Sequence, residues 1–181
     1  MKRIVHAESW IARIMVSAAS ACHITGSIET SPHVSGKMAS PYLTKSRKGK
    51  DMHYSIGAII KRNNKYLIVD RKKQPLGFAG IAGHVEKNEN PPSALLREVV
   101  EESGLLVKNY KLVFEEEIEE NTCSRGITVH YWWIYECEAD GEPKLKPDEA
   151  NSMGWYSAEE IKNLKLEPVW EYFFKKLGII D

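Results

Sequence analysis

The segment that decides the fold spans residues 83–105 and reads GHVEKNENPPSALLREVVEESGL. Its middle predicts an α-helix that begins after Asn90, because an asparagine side chain can cap the first turn. Pro91 and Pro92 fit that first turn, where the N–H group that proline lacks has no helical partner. Gly104 predicts the end of the helix, since glycine readily adopts the left-handed conformation that stops one.

Three glutamates share one face of this predicted helix. Glu98, Glu101 and Glu102 stand at positions i, i+3 and i+4, so their side chains project from neighbouring points. Like charges at this spacing repel, and the cluster is therefore either spread through solvent or gathered around a cation. A donor set made of oxygen alone suits a hard ion such as Mg²⁺ or Mn²⁺. On these three residues alone, a solvated acidic helix face is the favoured explanation, because such faces are common.

The residues around the glutamates favour the cation. The spacing G-x5-E-x7-R-E-U-x-E-E-x-G-U, with U aliphatic, is met without a gap by Gly83, Glu89, Arg97, Glu98, Val99, Glu101, Glu102, Gly104 and Leu105. This pattern resembles the Nudix box, and the sequence is similar to Nudix hydrolases over roughly residues 52–178. The resemblance does not extend to the first fifty residues.

The resemblance implies both a fold and a reaction. The fold is α/β, a Nudix-type α/β/α sandwich with a mixed β-sheet and a short N-terminal extension of helix and loop. The enzyme would be a pyrophosphohydrolase that uses Mg²⁺ or Mn²⁺ to hydrolyse a diphosphate bond. Its substrate would be a nucleoside diphosphate derivative, cleaved to a nucleoside monophosphate and a phosphorylated group, or a nucleoside triphosphate.

The resemblance also implies roles for individual residues. Glu98, Glu101 and Glu102 match the metal ligands of the family, and the backbone carbonyl of Ala82 often joins them. Glu89 and Arg97 match a structural ion pair that holds the loop onto the helix. Gly83 and Gly104 are the structural glycines of the box, and His84, beside the first of them, is interpreted as a loop residue.

The sequence offers more than one candidate for the general base, and Glu98 itself is one of them. Many relatives use a glutamate a few residues before a tryptophan, and Glu149 precedes Trp155 by six positions. Glu149 is therefore a candidate base or further metal ligand, with Asp148 as the close alternative. Together with Glu98 and Glu101 it completes the candidate catalytic groups.

The substrate is indicated only weakly. Phe78, Trp132 and Trp133 are candidates for stacking on a nucleobase, although core packing explains most such aromatic residues. Leu166 stands where mutator-type hydrolases of 8-oxo-dGTP have asparagine, which disfavours that substrate. An RNA 5′-end pyrophosphohydrolase and a non-catalytic, nucleotide-binding regulatory module remain as alternatives.

Charge divides the chain into two parts. Up to Asp51 there are eight basic and three acidic residues, and beyond it 17 basic and 22 acidic residues. We expect residues 1–51 to be a basic extension, with a short amphipathic helix after Ser9 and a loop or linker over residues 27–50, and residues 52–181 to be the Nudix domain. An acidic domain makes nucleic acid an unlikely partner and leaves a small nucleotide; a homodimer is possible.

The remaining patterns concern location and secondary structure. The chain has no apolar run long enough to cross a membrane, and three cysteines favour a reducing cytoplasm over a disulfide framework. Cys22, His23 and His33 match no zinc spacing. Strands are predicted over 54–60, 66–70, 79–85, 107–119 and 126–138, and helices over 91–103, 158–164 and 168–177. Asn63 and Asn64 predict a tight hairpin between the first two strands, because asparagine tolerates the positive φ that such a turn needs.

Overall fold

The computed structural model describes residues 40–181. Its elements in chain order are β1 (Leu43–Lys45), β2 (Asp51–Arg62), β3 (Lys65–Arg71), β4 (Gly77–Ala79), β5 (Ile81–His84), α1 (Pro91–Ser103), β6 (Leu106–Ile118), β7 (Val129–Asp140), β8 (Ala150–Tyr156), α2 (Ala158–Lys162) and α3 (Pro168–Lys176). Within this described part, no helix combines the length and the apolar character needed to cross a bilayer.

Strand β2 is the centre of a mixed sheet. It pairs with β7 in parallel, and with β1, β3 and β5 antiparallel, while β6 pairs with β7 and both β4 and β8 pair with β3. Residues 55–60 of β2 are all buried, which is typical of a strand covered on both faces. Helices or further chain must therefore cover both faces of the sheet at this strand.

Helices cover the two faces of the sheet. On one face Leu95 of α1 packs into a core that contains Ile60, and on the other Trp170 of α3 packs into a core that contains Ile59. Because successive side chains of a strand point to opposite faces, the neighbours Ile59 and Ile60 serve different cores. The predicted α/β/α sandwich with a mixed sheet is confirmed.

The predicted helix caps and the predicted turn between β2 and β3 are confirmed. The side chain of Asn90 accepts a hydrogen bond of 2.8 Å from the backbone of Ser93, and Gly104 is left-handed with φ 69°. The hairpin between β2 and β3 turns through Asn63 and Asn64, which have φ angles of 50° and 60°. Helix α1, which carries the three glutamates, therefore begins and ends where the sequence predicted.

Replacing Asn90 with alanine should lower the free energy of unfolding by about 0.5–2 kcal/mol, because the backbone N–H of Ser93 loses its acceptor. Urea denaturation followed by tryptophan fluorescence measures the change. Asn90→Asp, which keeps a capping oxygen, is the control and should stay close to the wild-type protein. Equal stability of the alanine and wild-type proteins would contradict the assignment.

Two differences from the predicted strands shape the site. The strand expected over 79–85 is divided at Gly80, because the chain passes there from pairing with β3 to pairing with β2. At this crossing the ring of Trp170 lies where a side chain on Gly80 would be, 2.5 Å from an ideal Cβ. Strand β8 was not predicted, and it extends the sheet beyond β3.

A third difference concerns the extension. Residues 27–50 were predicted as loop or linker, but residues 43–45 form β1 and pair with β2. The backbone N–H of Tyr42 also donates to the carbonyl of Val85, at 2.9 Å. The amphipathic helix expected after Ser9 lies outside the described residues, and the division of the chain at residue 51 stays a prediction.

Candidate active site

A cavity of about 600 Å³ opens beside α1 and β5. Six carboxylates line it: Glu86, Glu98, Glu101, Glu102, Glu149 and Glu167. Ala82 and Gly83 of β5 also line it. The box residues that the sequence singled out therefore meet at one place, and Glu149, more than forty residues away in sequence, joins them.

Arg97 ties the loop after β5 to helix α1. Its guanidinium donates two hydrogen bonds of 2.9 Å to Glu89, one of 3.0 Å to the carbonyl of His84 and one of 2.7 Å to Glu98. Burial opposes ionisation of Glu89, but the bonds from Arg97 hold its pKa below the ordinary value. The ion pair expected from the box is thus present, and it also fixes the position of Glu98.

Glu98 and Glu102 are acidic groups in an environment that disfavours their charge. Burial raises the pKa of Glu98 to about 7, against the opposing effect of Arg97. Burial also raises the pKa of Glu102 to about 8, and the negative charges of Glu98 and Glu149 raise it further. Arg71 opposes the shift at Glu102, but the pKa values of both carboxyl groups stay raised, and a set of carboxylate oxygens that repel one another fits hard divalent cations.

Gly83 is required by the position of Glu98. It pairs with Ile56 of β2, so its backbone is held in the sheet. A Cβ at Gly83 would coincide with the carboxyl group of Glu98. The absence of a side chain therefore lets this carboxylate lie directly against the strand, beside Ala82.

The two candidates for the general base are distinguished by position. Glu149 lines the cavity, and its backbone carbonyl accepts a hydrogen bond of 3.0 Å from the N–H of Lys72. Asp148 does not line the cavity. The geometry favours Glu149.

Only one of the three predicted stacking residues reaches the cavity. Trp132 lines it, is buried, and donates from Nε1 to Asn121 at 3.0 Å. Trp133 lies on the opposite face of β7, where its ring centroid is 5.2 Å from that of Tyr54, because neighbouring residues of a strand alternate. Phe78 instead packs in the core on the α3 face, and neither residue lines the cavity.

Sequence reasoning did not predict that basic residues, and residues with imidazole or thiol groups, line the cavity. Its wall also contains four basic residues and three residues with imidazole or thiol groups, namely Arg71, Lys73, Arg125, Lys146, His84, Cys123 and His130. They come from separate strands and loops, so no spacing in the sequence joins them. Burial is the main cause that lowers the pKa of His84 to about 3 and that of His130 to about 4, so both rings are neutral at pH 7.

Glu167 is a buried carboxylate at the start of α3. It is 3% exposed and lines the cavity, and its Oε2 lies 3.5 Å from Nε of Arg71. Burial raises its pKa to about 7, although the charge of Arg71 opposes the shift. The folded protein therefore binds a proton at Glu167 more tightly than the unfolded chain does.

Glu167→Gln should change how stability depends on pH. The pKa of Glu167 is higher in the folded protein than in the unfolded chain. Its bound proton therefore stabilises the folded protein fully below about pH 4.5, and this contribution is lost as the pH rises through about 7. The variant has no such proton to lose, so its free energy of unfolding relative to wild type should rise between these pH values and level off above them. Chemical denaturation across this range measures the difference.

Glu171→Gln provides the matched control, because Glu171 lies in the same helix but is half exposed and pairs with Lys175. It should show no comparable relative gain in stability. A Glu167→Gln profile parallel to that of the wild-type protein would mean that the buried carboxyl is not protonated in the folded state.

Comparison with known proteins gives the family of this chain. The family model described as NUDIX domain matches residues 51–177, and the chain belongs to this family. It is a Nudix hydrolase, an enzyme class whose members cleave diphosphate linkages.

Two relatives come from Escherichia coli (strain K12). An 8-oxo-dGTP diphosphatase is 31% identical over 120 residues, which cover 62% of this chain and 88% of the relative. A CTP pyrophosphohydrolase is 32% identical over 120 residues, covering 62% and 82%. The MutT protein from Methanosarcina mazei Go1 is similar in structure, with a TM-score of 0.58, 19% identity and coverage of 71% of this chain and 94% of that one, which shows the fold alone.

Proposed function

We propose that this protein hydrolyses a nucleoside triphosphate to a nucleoside monophosphate and pyrophosphate, with Mg²⁺ or Mn²⁺ as cofactor. The observation that carries the proposal is the complete set of box carboxylates gathered at one wall of a cavity that basic residues also line. The names of the two E. coli relatives, a diphosphatase of 8-oxo-dGTP and a pyrophosphohydrolase of CTP, support a triphosphate substrate.

Glu98, Glu101 and Glu102, with the carbonyl of Ala82, would hold the divalent ions. Their oxygens all belong to residues at the cavity wall, and burial of two of them beside like charges makes a bound cation favourable. When bound, such ions neutralise phosphate oxygens and make water a better nucleophile. Arg97 contributes by holding Glu98 in place through its hydrogen bond of 2.7 Å.

Glu149 would accept the proton of the attacking water, or act as a further ligand. It approaches the cavity from the turn before β8, opposite the helix, and its charge is close enough to raise the pKa of Glu102. Arg71, Lys73 and Lys146 line the same space and would attract the phosphate chain. The OH⁻ of water would add to the α-phosphorus while the bond between this phosphorus and the bridging oxygen breaks. Pyrophosphate then leaves with the bridging oxygen.

The rest of the cavity would hold the nucleoside. Its volume lies in the range of ligand sites, and its wall includes the apolar surfaces of Trp132 and Met153. Trp132 keeps its indole N–H bonded to Asn121, so its ring is held in one orientation. Leu166 stands where mutator-type hydrolases of 8-oxo-dGTP have asparagine, so an ordinary triphosphate is the better candidate than 8-oxo-dGTP.

The proposal includes the setting of the enzyme. A small nucleotide is the expected partner, in the cytoplasm, with neither nucleic acid nor membrane as a partner. A homodimer stays a prediction.

Product analysis on a substrate panel tests the proposal. The panel contains ordinary and oxidised nucleoside triphosphates, nucleotide sugars, ADP-ribose, dinucleoside polyphosphates and 5′-triphosphorylated RNA, each with Mg²⁺, with Mn²⁺ and with a chelator. We expect metal-dependent release of pyrophosphate from a triphosphate, and a large loss of this activity in Glu101→Gln. Turnover of a diphosphate derivative or RNA alone would replace the proposed substrate, and nucleotide binding without cleavage would favour a regulatory module.

A further inference from the structure

A second cluster of possible metal ligands lies beside the carboxylates and differs from them in chemistry. One ligand atom from each of His53, His84, Cys123 and His130 lies within 4.8 Å of all the others. The thiol of Cys123 is 3.8 Å from Nδ1 of His53, and the rings of His53 and His84 have centroids 4.7 Å apart. Three imidazoles and a thiol at this spacing form a donor set of four.

The sheet brings the three histidines together on one face. His53 in β2 is directly paired with His130 in β7. His84, at the end of β5, is paired with Ser55, which points to the same face as His53 because side chains two residues apart share a face. The three rings therefore project from three adjacent strands.

Cys123 comes from the loop between β6 and β7, and that loop is held over the histidines. The N–H of Cys123 donates to the carbonyl of Ile127 at 3.0 Å, and its carbonyl accepts from Gly126 at 2.9 Å. The side chain of Asn121 bonds to Trp132. The thiol is thus placed by a compact turn, at the open side of the histidine face.

His130 is the independent sign that something binds here. The residue is 1% exposed, and neither ring nitrogen makes a hydrogen bond of good geometry among the residues that the structure describes, although the backbone of Asn121 lies near the ring. A buried polar atom without a partner costs roughly 1–3 kcal/mol, so native proteins rarely leave one. An ion bound by the cluster would give one of these nitrogens a ligand bond.

The chemistry of the donors selects the ion. Imidazole nitrogen and thiolate sulfur bind Zn²⁺ well, whereas Mg²⁺ prefers oxygen. Tetrahedral zinc with these ligands needs donor atoms about 3.4–3.6 Å apart. The Cys123–His53 pair, at 3.8 Å, is already near this distance, and a pair at the 4.8 Å limit needs to close by up to about 1.5 Å, which side-chain rotation can supply.

We propose that His53, His84, Cys123 and His130 form a closed tetrahedral zinc site that fastens the β6–β7 loop to the sheet. Three of these residues and Arg125 of the same loop line the cavity. Zinc would therefore fix the wall of the cavity that faces the carboxylates, as a structural ion separate from the Mg²⁺ ions proposed for catalysis. This inference does not depend on which nucleotide is cleaved.

Metal titration of the full chain tests the site without using activity. The protein, free of purification tag and stripped by a chelator, is titrated with Zn²⁺ against a chromophoric competitor in excess Mg²⁺, which occupies the carboxylates. We expect one equivalent of Zn²⁺ to bind with a Kd below about 1 μM. Co²⁺ in place of Zn²⁺ should give intense tetrahedral d–d bands and a thiolate charge-transfer band.

Variants identify the ligands. Cys123→Ser should abolish the charge-transfer band and weaken Zn²⁺ binding about 10–100-fold or more. Cys137→Ser is the matched control, because Cys137 is a buried free cysteine that bonds to the carbonyl of Tyr135 instead. It should keep the band. All titrations use a background in which His6→Gln, Cys22→Ser, His23→Gln and His33→Gln remove the other histidines and the cysteine of the N-terminal segment.

The outcomes are decisive in either direction. No tight Zn²⁺ binding in excess Mg²⁺, an octahedral Co²⁺ spectrum, or a charge-transfer band that persists in Cys123→Ser would each overturn the proposal. Circular dichroism checks that the variant is folded. If it is not, His84→Gln takes its place, and it should shift the d–d bands and weaken Zn²⁺ binding while keeping the thiolate band.

Discussion

Glu102→Gln should lower kcat for pyrophosphate hydrolysis by about 10²–10³-fold, an effect of the size seen when one preorganised electrostatic contact in an active site is removed. The glutamine is nearly isosteric but carries no charge, so a divalent ion would lose part of its binding energy. Steady-state kinetics with saturating substrate, over a range of Mg²⁺ concentrations, measures the loss.

Stability separates this effect from damage to the fold. Glu102 is buried next to Glu98 and Glu149, and these charges oppose its ionisation. Without bound metal, the neutral variant should therefore unfold at the same temperature as the wild-type protein or a higher one. An inactive protein with undiminished stability is the expected result.

Glu142→Gln is the matched control, because the Glu142 side chain is 90% exposed and does not line the cavity. It should leave kcat unchanged. Wild-type turnover by Glu102→Gln at low Mg²⁺ would show that this carboxylate does not serve the reaction.

Gly83→Ala should be the second severe change, with a loss of activity of about 10²-fold. The added methyl group would occupy the position of the Glu98 carboxyl group, and the strand cannot retreat because Gly83 is paired with Ile56. Glu98 must then move and give up its place beside Ala82, and small displacements of catalytic groups are costly. Kinetics, with Mg²⁺ affinity measured in parallel, tests this.

Gly154→Ala is the control for adding a methyl group to a strand glycine. A Cβ there meets only the ring of Tyr156, at 3.2 Å, and this ring can shift. We expect nearly normal activity from it. Full activity in Gly83→Ala would mean that Glu98 is not held where the structure has it, and the assignment of this carboxylate would fall.

The helix of the box was predicted from signals that act between residues close together in the sequence. Asn90, Gly104 and the spacing of the glutamates act over a few residues along the chain, so their effect on backbone and side-chain direction is nearly independent of the rest of the fold. The turn at Asn63 and Asn64 is of the same kind. This is why the helix bounds, the hairpin and the class of fold could be predicted.

Other predictions failed where distant segments had to be matched. Strand β8 contains Gly154 and polar residues without clear alternation, and it becomes a strand only because β3 offers it an edge. Trp132 and Trp133 are neighbours with similar propensities, and the register of β7 against β2 decides which of them faces the cavity. Neither outcome is visible in a short window of sequence.

The sequence by itself determined the carboxylate helix, its caps and the family, because these depend on neighbours within two turns. The tertiary structure alone decided that Glu149 and the basic residues share the cavity, that Trp133 is turned away, and that His53, His84, Cys123 and His130 converge. The physical reason is that strand pairing joins residues far apart in sequence, and the side-chain period of two then sets which of them meet on one face.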